Sequence, residues 1–203
     1  MLWGGHEGSL ELRKRASGAM ALHGRFPYNT RAVLSDGGRT GRPRKEVIAS
    51  RAFAYRVDRP EEDIHLLIGH SYDRPLASRG AGTLSLNDSE DALTFEAKIS
   101  AEMQEVSYVR DALAGIAAGL TIGLSPGFRI PPERTVPNAE KVEEEDPTEG
   151  TALIRTIYEA LLYELSIVTR PAYSEAQVES RNWQPTEAAP VPSLKGRGAL
   201  IWR

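Results

Sequence analysis

TLSLNDSEDALTFEAKISAEMQEVSYVRDALAGIAAG, residues 83–119, changes its period halfway along. Over Leu93, Phe95, Ala97 and Ile99, apolar side chains recur at every second residue, the spacing of a strand with one buried face. Thr83–Leu86 reads as its partner in a hairpin turning at Asn87-Asp88. From Ser100 the spacing becomes helical: Ser100 suits an N-cap, Glu102 suits the first turn, and Met103, Val106, Val109, Leu113 and Ile116 recur on one side until Gly119. This is the clearest helix in the chain, and it stands among strands.

On the N-terminal side, Asp63–His70 carries IHLLIGH, a buried strand ending in a histidine and opening into the polar loop SYDRPLAS. Arg59-Pro60 separates it from the short apolar run Glu46–Tyr55. Ahead of that, Asp36-Gly37-Gly38 and Gly41-Arg42-Pro43 supply turns, and Ala16–Pro27 reads as a first strand. Beyond the helix, LTIGLSPGFRI (120–130) returns to extended structure. Residues 131–150, rich in Pro and Glu, are expected as a mobile acidic loop, and Leu153–Val168 is again strand-like. The resulting organisation is an N-terminal arm over 1–15 ending in Arg13, Lys14 and Arg15, one domain over 16–180, and a flexible C-terminal tail over 181–203. Many strands with few βαβ alternations predict a mainly β fold with helices, an antiparallel barrel or sheet rather than a doubly wound one.

The inventory excludes several classes of function. With no cysteine among 203 residues, thiol catalysis, disulfide frameworks and thiolate zinc sites are ruled out. A formal net charge of -3 argues against a chain built to neutralise phosphates. No apolar run is long enough to span a bilayer, and the N-terminus has glycines and charges where a signal peptide needs an apolar stretch, so a soluble cytoplasmic protein is expected.

Gly123-Leu124-Ser125-Pro126-Gly127 matches the G-x-S-x-G pattern of α/β-hydrolases. That fold needs its histidine after the serine, whereas His6, His23, His65 and His70 all precede Ser125. Its oxyanion hole also uses the N–H of the following residue, which Pro126 lacks. The elbow reading therefore fails. A serine nucleophile still needs a base, and histidine suits that task near neutral pH. His70 closes an apolar strand beside a polar loop. His65 sits five residues earlier, on the opposite face at a period of two. Lys98, Lys141 and Lys195 have no convincing setting for a Ser–Lys dyad. Glu164 is a lone acid in LLYELSIV, where a charge needs a partner; a hydrogen bond to a histidine would supply one, and an outward-facing strand position is the alternative. Asp73 is the next acid to consider.

RKEVIASRAF (44–53), LLIGHSYDRPLAS (66–78), GLTIGLSPGFRI (119–130) and YELSIVTRPAYSEAQV (163–178), in this order, resemble the prohead proteases of tailed bacteriophages. The resemblance covers roughly residues 16–178. It implies a fold similar to the herpesvirus assemblin proteases, an antiparallel β-barrel surrounded by helices. Ser125 matches the family's nucleophile, His70 the base and Glu164 the orienting acid. Tyr173 stands where many relatives have asparagine. Because Pro126 has no N–H, Gly127 N–H, a water or Arg170 is left to stabilise an oxyanion.

The resemblance further implies an enzyme inside the assembling procapsid in the host bacterial cytoplasm. It would cleave scaffold or the scaffold-like N-terminal region of the major capsid protein, and itself, without cofactor or metal. A homo-oligomer such as a dimer is expected, with no membrane or direct nucleic-acid partner. A non-catalytic capsid assembly or scaffolding factor with the same fold is the alternative.

The tail, with Pro185, Pro190 and Pro192 and little apolar area to bury, is expected to be extended and dispensable for the domain. It is either inert or a tethered segment for self-cleavage or for docking on scaffold. Mass spectrometry of the parent chain and of Ser125→Ala separates these readings. Loss of tail residues from the parent alone indicates self-processing; intact tails in both, while capsid protein is being cut, refute it.

Overall fold

A computed structural model describes residues 9–14, 18–120 and 123–169. Its strands form three four-stranded sheets around one core. The first sheet holds β1 (Ser9–Lys14), β2 (Met20–Pro27), β8 (Ala92–Ile99) and β7 (Leu84–Asp88), in that spatial order. The second runs β10 (Glu140–Glu144), β11 (Leu153–Ile157), β4 (Arg44–Ile48), β3 (Ala32–Ser35). The third runs β6 (Ser71–Ser78), β5 (His65–Ile68), β12 (Leu161–Val168), β9 (Gly123–Arg129). Leu22, Phe26, Leu93 and Ile99 of the first sheet, Ile48 and Ile157 of the second, and Leu66, Leu124, Leu165 and Ile167 of the third share one apolar cluster.

The expected mainly β fold is present, but the closed antiparallel barrel is not. All three sheets remain open, and two pairings, β11 with β4 and β12 with β5, are parallel. Both edges of the third sheet carry a proline, Pro75 in β6 and Pro126 in β9. Proline donates no ladder hydrogen bond, so it belongs at an edge and opposes closure there. Nor do helices surround the sheets: among the described residues they are α1 (Ala54–Val57), α2 (Ala101–Gln104) and α3 (Ser107–Ala117).

The decisive stretch folds largely as its periods indicate. Leu93, Phe95, Ala97 and Ile99 are all buried, and β7 pairs antiparallel with β8. The turn falls at Ser89–Asp91 rather than Asn87-Asp88. The Tyr28 hydroxyl donates to Asp88 Oδ1 at 2.7 Å, which keeps Asp88 in the strand, and the Ser89 hydroxyl bonds both N–H and C=O of Ala92. Ser100 caps as expected, its Oγ accepting from Met103 N–H. The helix then breaks at Val106, whose ψ of 129° is extended. The break leaves Val106 exposed while Val109 and Leu113 of α3 enter the core.

Four other segments differ from expectation. SYDRPLAS is strand β6, paired with β5. The acidic segment 131–150 contains β10, which docks on β11 through buried Val142 and through Glu140, whose carboxylate receives Arg155 Nε at 2.6 Å. Arg13 and Lys14 belong to edge strand β1, while Arg15 and the tail lie outside the described residues. The strand-like run 153–168 is two strands in different sheets, joined by a corner at Tyr158–Ala160. There Tyr158 N–H bonds Ala139 O and Ala160 N–H bonds Ala52 O. No helix among the described residues is long and apolar enough to cross a membrane.

Arg155 also bonds Glu46 at 3.0 Å, and both side chains are almost completely buried. Removing one partner of such a pair strands a charge in the interior and costs about 3–5 kcal/mol. Arg155→Ala should lose about that much in urea unfolding, whereas joint replacement by Glu46→Leu and Arg155→Met should lose far less. A loss below about 1 kcal/mol for Arg155→Ala, the range of surface pairs, would show that this pair does not hold the second sheet together.

Candidate functional site

The third sheet has two chemically different faces. Leu66 and Ile68 of β5, Leu165 and Ile167 of β12, and Leu124 and Pro126 of β9 alternate onto the core side. The intervening positions form the other face. There His65 pairs with Glu164, Leu67 with Ser166, Glu164 with Gly127, and Ser166 with Ser125. A bulge between Leu162 and Glu164 sets this alternation, turning Glu164 onto the same face as Ser166.

Glu164 is 4% exposed and Ser166 fully buried, so their polar atoms need partners inside the protein. Glu164 Oε1 lies 2.7 Å from His70 Nδ1, and Glu164 Oε2 accepts the Ser166 hydroxyl at 2.7 Å. His70 reaches the carboxylate from the two-residue turn between Ile68 and Ser71, which are themselves paired. Gly69 and His70 both have positive φ, 60° and 61°, as a type I′ hairpin turn requires. Left-handed backbone is unfavourable for a residue with a Cβ, and β12 supplies what holds it. Gly69 N–H donates to Ile167 O at 3.0 Å, and His70 N–H donates to Ser166 Oγ at 2.8 Å.

The turn overrides the parity expected of the two histidines. His65 faces the same side as Glu164, yet its ring lies edge-on to Tyr72, 5.7 Å between centroids, with Nε2 3.6 Å from Asp63 Oδ2. His70, not His65, takes the carboxylate. Asp73 is exposed on β6. The hydrogen bond to Glu164 holds the His70 imidazole above its ordinary range, against the opposing effect of burial.

Ser125 lies on this same face, 7% exposed and directly opposite Ser166. Directly opposed residues of an antiparallel pair carry their Cβ atoms about 4.5–5.5 Å apart, so Ser125 adjoins the Glu164–Ser166 unit. It is not hydrogen-bonded to His70, whose described bonds go to Glu164 and Ser166. Gly127, expected as an oxyanion donor, has a steric task in the structure. Its φ is ordinary, yet a Cβ there would stand 2.6 Å from Glu164 Cδ and closer still to Oε1. Arg170 lies outside the described residues. Ser166 was not singled out from the sequence, although its spacing of two from Glu164 in an otherwise apolar strand is a signal for a shared polar face.

The profile of the caudovirus prohead serine proteases matches residues 30–189. The chain belongs to this family. Membership implies a serine protease with a role in phage capsid maturation, acting inside the procapsid. No curated protein and no solved structure matches the chain. The match spans the hairpin, both histidines, Ser125 and all of β12, so the polar face of the third sheet lies within the family's own extent.

In an NMR titration, the His70 imidazole should titrate above 6.5 in the parent chain. Gly127→Ala should displace the Glu164 carboxylate and move that titration back down. The sign follows from the bond: a raised value means the cation is favoured in the fold. Its contribution to stability is therefore complete below the unfolded value and lost as pH rises through the folded one. An unchanged titration in Gly127→Ala would show that the carboxylate tolerates a neighbour there.

Proposed function

We propose that the chain is a serine endopeptidase in which Ser125 is the nucleophile, His70 its general base and Glu164 the acid that orients the imidazole. Its substrates are scaffold or the scaffold-like N-terminal region of the major capsid protein, and its own chain. The observation that carries this reading is the 2.7 Å contact between His70 Nδ1 and Glu164 Oε1 on the face that also bears Ser125. A carboxylate on Nδ1 fixes the tautomer that leaves Nε2 free to accept a proton, and it stabilises the imidazolium that results.

In this mechanism Ser125 Oγ attacks the scissile carbonyl as His70 Nε2 takes its proton. The same proton passes to the leaving amine, and water then releases the acyl group from Ser125. Hydrogen bonds between nucleophile and base commonly tighten only when substrate is bound, which accommodates the missing Ser125–His70 bond. Pro126 contributes no N–H to the oxyanion, so Gly127 N–H or the Arg170 guanidinium serves that role.

The missing Ser125–His70 bond is also the observation that favours a second reading, a capsid assembly factor that retains the fold without the chemistry. The two separate in one experiment, incubation with the major capsid protein of the same phage. The parent should cleave it, Ser125→Ala and His70→Ala should not, and Glu164→Gln should lose on the order of 10⁴-fold in kcat while remaining folded by circular dichroism. Equal cleavage by the parent and Ser125→Ala would remove Ser125 as nucleophile. Absence of cleavage by all four, with assembly still dependent on the chain, would select the assembly factor. Glu164→Gln at nearly the parental rate would demote Glu164 and make Asp73 the acid to test.

A further inference from the structure

Ser166 has two polar capacities and uses both. Its O–H donates to Glu164 Oε2 at 2.7 Å, and its oxygen accepts the backbone N–H of His70 at 2.8 Å. With the bond from His70 Nδ1 to Glu164 Oε1, these contacts close a cycle: His70 backbone to Ser166, Ser166 to Glu164, Glu164 back to the His70 ring. One hydroxyl therefore fixes the histidine from its main chain and, through the carboxylate, from its ring. Ser166 is 0% exposed and Glu164 4%, so these contacts lie inside the protein.

We propose that Ser166 is the positioning residue of this site, setting the His70 turn and the Glu164 carboxylate in register with one another. The inference rests on the reading of His70 and Glu164 as base and orienting acid. His70 stands at φ 61°, a conformation unfavourable for a residue with a Cβ, and its N–H finds its partner on β12. Ser166 is that partner. Because the hydroxyl accepts from one group while donating to the other, its two bonds polarise each other and strengthen together. The register of β12 then places Ser125, the proposed nucleophile, directly opposite this hydroxyl. Ser166 touches no reacting atom in the scheme and acts through its two neighbours.

The test compares Ser166→Thr with Ser166→Val in the full chain. The two side chains are nearly equal in size, and only threonine keeps the hydroxyl, so any packing cost is common to both. Two readouts are taken: the rate at which a fluorophosphonate probe labels Ser125, and the NMR titration of the His70 imidazole. Threonine should keep both near parental. Valine should slow labelling by roughly tenfold to a hundredfold, as befits a lost hydrogen bond to a charged group, and lower the His70 titration. Combining Ser166→Val with Glu164→Gln should label no more slowly than Glu164→Gln alone, because both act through one carboxylate.

Equal rates and titrations for threonine and valine would overturn the proposal. So would a double variant whose losses are the full product of the single ones. If no form of the protein is labelled, the assignment of Ser125 fails on its own terms, and the titration still decides the role of Ser166.

Discussion

The buried carboxylate of Glu164 is the constraint around which the third sheet is arranged. A charge that is 4% exposed persists only with a partner for each oxygen, and the fold gives it one on each side: His70 Nδ1 on Oε1 and Ser166 Oγ on Oε2. Several otherwise unrelated features answer to it. The bulge before Glu164 turns it onto the polar face. Gly127 clears the space beside it, and the left-handed turn brings His70 to it. None of the three is favourable locally, and each is compensated by what it allows the carboxylate to reach.

The second sheet solves the same physical problem differently. Arg155 enters the interior between Glu46 and Glu140, so a cation sits between two acids on neighbouring strands. Glu164, by contrast, has a histidine, which can carry or release a proton near neutral pH. One buried cluster thus joins an arginine to two acids and serves the sheet, while the other joins a histidine to one acid and serves the face that carries Ser125.

What was legible in the sequence follows the range of the interactions. The β7–β8 strands and the Ser100 cap depend on neighbours a few residues away, and their spacing displays them. The meeting of His70 with Glu164 was legible only in part: a lone acid in an apolar strand asks for a partner, but an outward-facing position answered as well, and it was the resemblance to the prohead proteases that pointed to His70. That the sheets stay open was not legible, because closure depends on whether distant edge strands meet, and Pro75 and Pro126 reveal their edge positions only once the pairing is known. β10 was hidden because Val142 is the single buried side chain of that strand, with charged residues on both sides, and its docking uses Arg155 from the next strand. The turn at His70 was hidden because Gly69-His70 lacks the usual type I′ residues. Its conformation is held instead by a serine 96 residues away.

That separation has a consequence for the order in which the molecule forms. His70 and Glu164 are 94 residues apart, and β5 and β12 are joined as parallel neighbours. Contacts so distant along the chain require a large loop to close before they return any free energy, and parallel pairing is among the slower events in folding. A nascent chain can complete the β7–β8 hairpin and α3 while β12 is still unmade. The histidine turn and its carboxylate come together only when the last described strand is laid between β5 and β9, so the polar face is completed late and as a unit.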